Sequence, residues 1–156
     1  MTPTFRVYTL LAIGGMVAAA LNGLVPEQAS MATTVWPMLL FDGSVLLLML
    51  VDGLLVSSNR RPTLQREPLQ RLSIGRDNAV TLTIQAKGIP ADLHIYDQYP
   101  AALNQVPMPL RALCPAKTAQ TLTYTVPPQQ RGEFTWGDLQ VRQRGAMGLA
   151  WRGWTV

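Results

Sequence analysis

The sequence predicts a membrane α-helical hairpin of two transmembrane helices, followed by an all-β sandwich of immunoglobulin-like or fibronectin-like architecture. Three observations predict it. Charged residues make up 14% of the 156 residues, against roughly 25% in an ordinary soluble domain. They are also lopsided: of 13 lysines and arginines, only Arg6 precedes Ser57. Beyond the charge-poor front, the apolar pattern switches to a period of two, with a turn signal about every 8–12 residues.

The first span reads Val7 to Val25 and contains no charge. At ~1.5 Å per residue it reaches ~28 Å, close to the hydrocarbon thickness of a bilayer. The core of a cleaved signal peptide is shorter, about 7–15 residues, and here a second apolar run follows at once. That run is Pro37 to Ser58, with Trp36 before it at the expected headgroup level. Pro37 suits a first helical turn, where its missing N–H costs nothing. The run carries Asp42 and Asp52. Acids inside a membrane helix are expensive, but these two lie toward opposite ends and ~80° apart around the helix. Their expected role is structural: a polar contact with a neighbouring helix, or local hydration. Gly15, Ala19 and Gly23 recur every four residues of the first span, a small-residue ridge suited to close helix packing. Asn22 lies near that ridge, within expected reach of Asp42 in a hairpin.

Arginines set the orientation. Arg6 flanks the first span, and Arg60 and Arg61 follow the second, while the stretch between the spans has no lysine or arginine. The positive-inside rule then places both termini in the cytoplasm and the short loop outside. The expected organisation is an anchor over 1–58, a linker over 59–67 and a β-domain over 68–156.

Within that domain, Ala79–Lys87 alternates: Val80, Leu82, Ile84 and Ala86 on one face, Thr81, Thr83 and Gln85 on the other. This is a half-buried antiparallel strand. Leu93 and Ile95 share a face of the next strand, and Leu122, Tyr124 and Val126 of another. Strands are also expected at Leu69–Ile74 and, more weakly, Leu110–Leu113. Tyr99–Pro109, with three prolines, reads as a loop.

The chemistry-bearing residues are sparse. There is one cysteine, Cys114, and one histidine, His94, so Cys and His cannot assemble a metal cluster. Cys114 reads as a small buried hydrophobe, and His94 falls on the polar phase of its strand. Asp92 and Asp97 read as strand-end turn residues. No glycine-rich phosphate loop opens a helix. No catalytic residue, metal site or cofactor is expected, and the chain reads as a non-enzyme.

The stretch Arg131–Gly153 mixes arginine, glycine and tryptophan. Its glycines fall at expected turns, and Phe134, Trp136, Leu139 and Val141 alternate inward. Strand-like spacing disfavours the nucleic-acid reading that arginines and stacking aromatics otherwise suggest. Two adjacent spans, an arginine-flanked linker, a β-sandwich, then Arg131-Gly132-Glu133-Phe134-Thr135-Trp136-Gly137-Asp138 and finally Gly148-Leu149 resemble the bacterial domain of unknown function 58 family. Asp97-Gln98-Tyr99-Pro100 matches a further step of that pattern. The Asp-Pro-Phe-Gly-Leu stretch common in the family departs here to Gly145-Ala146-Met147-Gly148-Leu149. The resemblance implies membrane anchoring, a following α/β domain similar to a von Willebrand factor A module before which this chain would be truncated, and a MoxR-type AAA ATPase as partner in assembling or maturing other proteins. The expected function is therefore a membrane-anchored interaction or scaffold protein, its partners the lipid bilayer, an AAA ATPase and other membrane or cytoplasmic proteins. Two other readings are an outward-facing cell-envelope binding module, which the arginine distribution opposes, and a small transporter or membrane enzyme using Asp42 and Asp52, for which two spans leave little room.

Overall fold

The computed structural model describes residues 1–24, 32–56, 61–67, 71–88, 90–100, 102–103 and 107–156. They fall into two compact units. One comprises Met1–Val56 with Arg144–Arg152, the other Ser57–Gln143 with Gly153–Val156.

The first unit holds a short strand β1 (Thr2–Pro3) and two helices, α1 (Phe5–Leu24) and α2 (Ala32–Leu55). α2 is long and apolar enough to cross a membrane: its span Val35–Leu55 has 21 residues at a mean hydropathy of 2.0. That is ~31 Å of helix. The apolar part of α1 is shorter, Phe5–Leu21, so a hairpin of two full spans is not shown among the described residues. Helical hydroxyls are hidden in the backbone. Thr9 Oγ1 donates to the Phe5 carbonyl at 2.7 Å and Ser44 Oγ to the Phe41 carbonyl at 2.7 Å, which satisfies each side chain one turn back.

Pro37 stands inside α2, not in its first turn as expected. The helix begins five residues earlier, at Ala32, and Pro37 therefore removes one internal hydrogen bond. α1 and α2 pack together, and the close approach is made by Gly14. A methyl group there would lie 2.7 Å from the Phe41 ring and 3.3 Å from Asp42 Oδ1.

The second unit is a sandwich. One sheet has the order β2-β3-β6, with β2 Thr63–Arg66, β3 Asn78–Gln85 and β6 Ala119–Val126; the other contains β4 Ala91–Asp97, β5 Leu110–Cys114, β7 Leu139–Arg144 and β8 Ala150–Thr155, in the order β8-β7-β4-β5. The chain changes sheet after β3, β5 and β6, so neither sheet forms from consecutive strands alone. Hairpin β7–β8 contributes its base to this unit and its tip, Arg144–Arg152, to the first.

The alternation that predicts β3 is also what buries it: Val80, Leu82 and Ile84 are fully buried. They meet Leu93 and Ile95 of β4, Ala112 and Cys114 of β5, Val126 of β6 and Val141 of β7 in one cluster. Cys114 is buried and its thiol pKa is raised by desolvation. His94 pairs across to Arg142 and Arg111 on the half-exposed phase of β4.

Three expectations change. The segment read as linker contains β2, whose Leu64 joins the core. The strand expected at Leu69–Ile74 is not formed over the described residues 71–74, and 68–70 lie outside them. Residues 131–138 are assigned to no strand, although Phe134 and Trp136 are half-buried and pack on the core as the alternation implies.

Candidate functional site

Two polar constructions stand out, one in each unit. In the first unit, Asp52 lies one turn before the end of α2 and is fully buried. Its carboxylate accepts three backbone N–H groups from the tip of hairpin β7–β8: Met147 at 2.8 Å on Oδ1, Leu149 at 2.7 Å and Ala150 at 3.1 Å on Oδ2. The tip is shaped to receive it. Gly145 N donates to the Ala150 carbonyl at 2.8 Å and Gly148 N to the Gly145 carbonyl at 3.0 Å. Gly148 takes a left-handed φ of 71°, which glycine alone adopts without a Cβ penalty. Gly145 leaves the room, because a Cβ there would come within 2.2 Å of Asp52 Oδ2. Two further carbonyls of the tip bond to Thr4, just after the N-terminal strand. Thr4 Oγ1 donates to the Gly148 carbonyl at 2.8 Å and Thr4 N to the Leu149 carbonyl at 2.8 Å. Arg152 returns a hydrogen bond to the Gly53 carbonyl at 3.2 Å. Leu149 closes the contact by packing with Val7 and Val45.

The motif's Gly148 and Leu149 therefore form the seat for Asp52. The partners of Asp52 are backbone amides of a turn, where the sequence suggests a neighbouring helix or local hydration. Asp42 is different. It is half-buried against α1, and its Oδ1 is enclosed without a hydrogen-bond partner among the described residues. The side chain of Asn22, its expected partner, lies outside the described residues. Gly15 and Gly23 open onto empty space and Ala19 is exposed. The ridge they form points away from α2, one residue out of phase with Gly14. An apolar groove of about 260 Å³ lies beside Gly14, lined by Val17, Leu21, Met38 and Phe41 among others.

Of the arginines read as topology anchors, Arg6 is exposed, with Nη1 3.1 Å from where a Cβ on Gly148 would stand. Arg60 lies outside the described residues. Arg61 stacks over the Trp154 ring at 5.2 Å.

In the second unit, Arg66 of β2 reaches Asp97 at the end of β4 as a two-pronged ion pair: Nε donates to Oδ2 at 3.1 Å and Nη2 to Oδ1. The Asp97 side chain is fully enclosed. Tyr124 of β6 donates its hydroxyl to Asp97 Oδ2 at 2.6 Å. Arg66 Nη2 also donates to the Gly137 carbonyl at 3.0 Å, and its guanidinium lies over the Trp136 ring at 5.1 Å. Gly137 N donates to the Gln98 carbonyl at 2.7 Å. The two short motifs, Asp97-Gln98 and Trp136-Gly137, are thus joined through one arginine that the sequence reading placed in a linker. Gly137 is needed for the approach, since a Cβ there would stand 2.8 Å from Gln98 Cβ.

Burial and then the hydrogen bond to the negative Asp97 push the Tyr124 hydroxyl pKa well above its ordinary value of 10.0. The folded value exceeds the unfolded one, so this stabilisation is complete below about pH 10 and is lost as pH rises beyond it. Alkaline unfolding monitored by circular dichroism should therefore steepen above about pH 10, and Tyr124→Phe should flatten that limb.

A groove of about 640 Å³ opens beside this network, with Arg131, Gly132, Phe134 and Trp136 along one wall. Among the described residues no three His, Cys, Asp or Glu side chains converge as a metal site would require. Neither protein-family models nor the curated proteins contain a match to the chain.

Proposed function

We propose that this chain is a non-enzymatic interaction protein anchored in a bacterial inner membrane, both termini facing the cytoplasm, with its sandwich as the surface offered to partners. The observation that carries this reading is the apolar length of α2, Val35–Leu55, followed within a few residues by Arg60 and Arg61. Arginines directly after a span favour the cytoplasmic side. α1 serves as the companion span, with its close approach to α2 at Gly14 supporting a hairpin. The engagement of Asp52 by three amides favours anchoring over a relay, because an acid whose lone pairs are already occupied has little capacity to pass protons or ions. The resemblance in Arg131–Asp138 and Gly148-Leu149 suggests a MoxR-type AAA ATPase as partner, in assembly or maturation of other proteins.

The test is a pair of fusions after Val156 in a bacterial host. A cytoplasm-active reporter should work and an export-dependent one should not, with the chain resisting alkaline carbonate extraction. Export-dependent activity would overturn the orientation, and release by carbonate would overturn the anchor.

A further inference from the structure

The groove of the second unit has three properties that together specify an occupant. Its lining is mixed: Ile74, Pro128, Phe134 and Trp136 supply apolar surface among polar groups. Its rim carries Arg71 and Arg131, both exposed, against the single acid Glu133. No hydrogen bond or ion pair engages either guanidinium among the described residues. One lining stretch, Arg131–Trp136, forms neither helix nor strand, and its backbone N–H and C=O groups make no backbone hydrogen bond among the described residues. Backbone groups left unbonded in this way can pair with an added strand.

The loop that carries Leu72 and Ile74 is held in place beforehand. Asn78 accepts the Ser73 N–H at 2.7 Å and donates to the carbonyls of Ser73 at 2.9 Å and Arg76 at 2.8 Å. Gly75 N adds a bond to the Pro128 carbonyl at 3.0 Å. The loop is therefore ordered without a ligand, which lowers the entropic cost of binding one.

We propose that this groove binds an extended acidic segment of another protein. Backbone groups of that segment pair with Arg131–Trp136, alternate apolar side chains enter over Phe134 and Trp136, and its carboxylates meet Arg71 and Arg131. The excess of positive charge selects acids, and the guanidinium fork suits a carboxylate. An anionic lipid headgroup shares the charge, but it has no use for the unpaired backbone or for the apolar side chains beside it. The proposal rests on the reading of the sandwich as an interaction surface and names the chemistry of its partner.

The probe is a dye-labelled, end-capped octapeptide alternating glutamate and leucine. It is titrated by fluorescence anisotropy against the full chain in phosphatidylcholine nanodiscs. The glutamate peptide should bind at least about tenfold more tightly than its glutamine analogue. Arg131→Glu and Arg71→Glu should each weaken it by about tenfold or more, while far-ultraviolet circular dichroism and the thermal transition stay unchanged. Equal binding of the glutamine analogue, or unchanged binding by both variants, would overturn the proposal. So would the absence of peptide binding combined with recruitment of phosphatidylglycerol vesicles that depends on Arg71 and Arg131, since that result assigns the groove to lipid. Flotation of the same chain reconstituted with phosphatidylcholine liposomes in place of nanodiscs separates the two readings. A wild-type chain that binds peptide but does not float ends the membrane anchor and leaves the groove standing.

Discussion

Asp52→Asn is expected to release the tip of hairpin β7–β8 and to cost about 3 kcal/mol or more, the order of several charge-assisted hydrogen bonds lost together. The reason lies in the arrangement of donors. Both carboxylate oxygens of Asp52 accept, Oδ1 from Met147 and Oδ2 from Leu149 and Ala150. An asparagine presents one acceptor and one NH₂ group, so one side of the site sets donor against donor whichever way the amide is turned. The three N–H groups, two of them on buried residues, cannot all be satisfied, and an unpaired buried donor keeps its full desolvation penalty. Hydrogen exchange measured by mass spectrometry on the chain in detergent should show Met147, Leu149 and Ala150 losing protection, while the amides of β3 keep theirs. Gly145→Ala should produce the same local signature by the reverse route, pressing a methyl group into the carboxylate. Unaltered protection over residues 145–150 in both variants would remove Asp52 as the organiser of the turn.

Arg66→Ala should destabilise the sandwich by about 3–5 kcal/mol, the usual cost of leaving one member of a buried ion pair without its partner. Asp97 would remain fully enclosed with a negative charge and only the Tyr124 hydroxyl to meet it. Arg66→Lys should recover only part of the loss. An ammonium cannot supply the parallel Nε and Nη2 contacts to both oxygens and also reach the Gly137 carbonyl. The measurement is denaturant unfolding of the chain in detergent, following tryptophan emission. Removal of the guanidinium also strips the face of Trp136. A double-mutant cycle with Asp97→Asn should give a coupling above about 1 kcal/mol. Additive losses would mean that the pair contributes little and that Arg66 matters chiefly through its packing on Trp136.

How much of this was legible beforehand depends on the range of each interaction. β3 was readable because alternation is local: Val80, Leu82 and Ile84 announce a buried face within a few residues. β1 and β2 were missed because two and four residues are too short to display a period. Asp97 was read as a turn residue, yet the signal for its burial was present. It falls in phase with Leu93 and Ile95, so the same alternation that buries those side chains directs its carboxylate inward. A strand-end acid on the apolar phase requires a buried donor, and Tyr124, also on an apolar phase, was a candidate. Arg66 carried no such mark, because an isolated arginine beside a proline-containing segment looks like any solvated charge.

The sequence by itself determined the partition into an apolar helical front and a β-rich, cationic remainder, along with the phase of the main strands. Those properties follow from composition and from periods of two and of 3.6 residues, which neighbours in the chain set among themselves. Only the tertiary structure decided the partners of the polar side chains. Asp52 meets a turn 95 to 98 residues away, and Arg66 meets a carboxylate 31 residues away and a carbonyl 71 residues away. A hydrogen bond depends on a few tenths of an ångström between groups that the chain brings together only once both sheets and the helix pair have packed, and no local pattern encodes that distance.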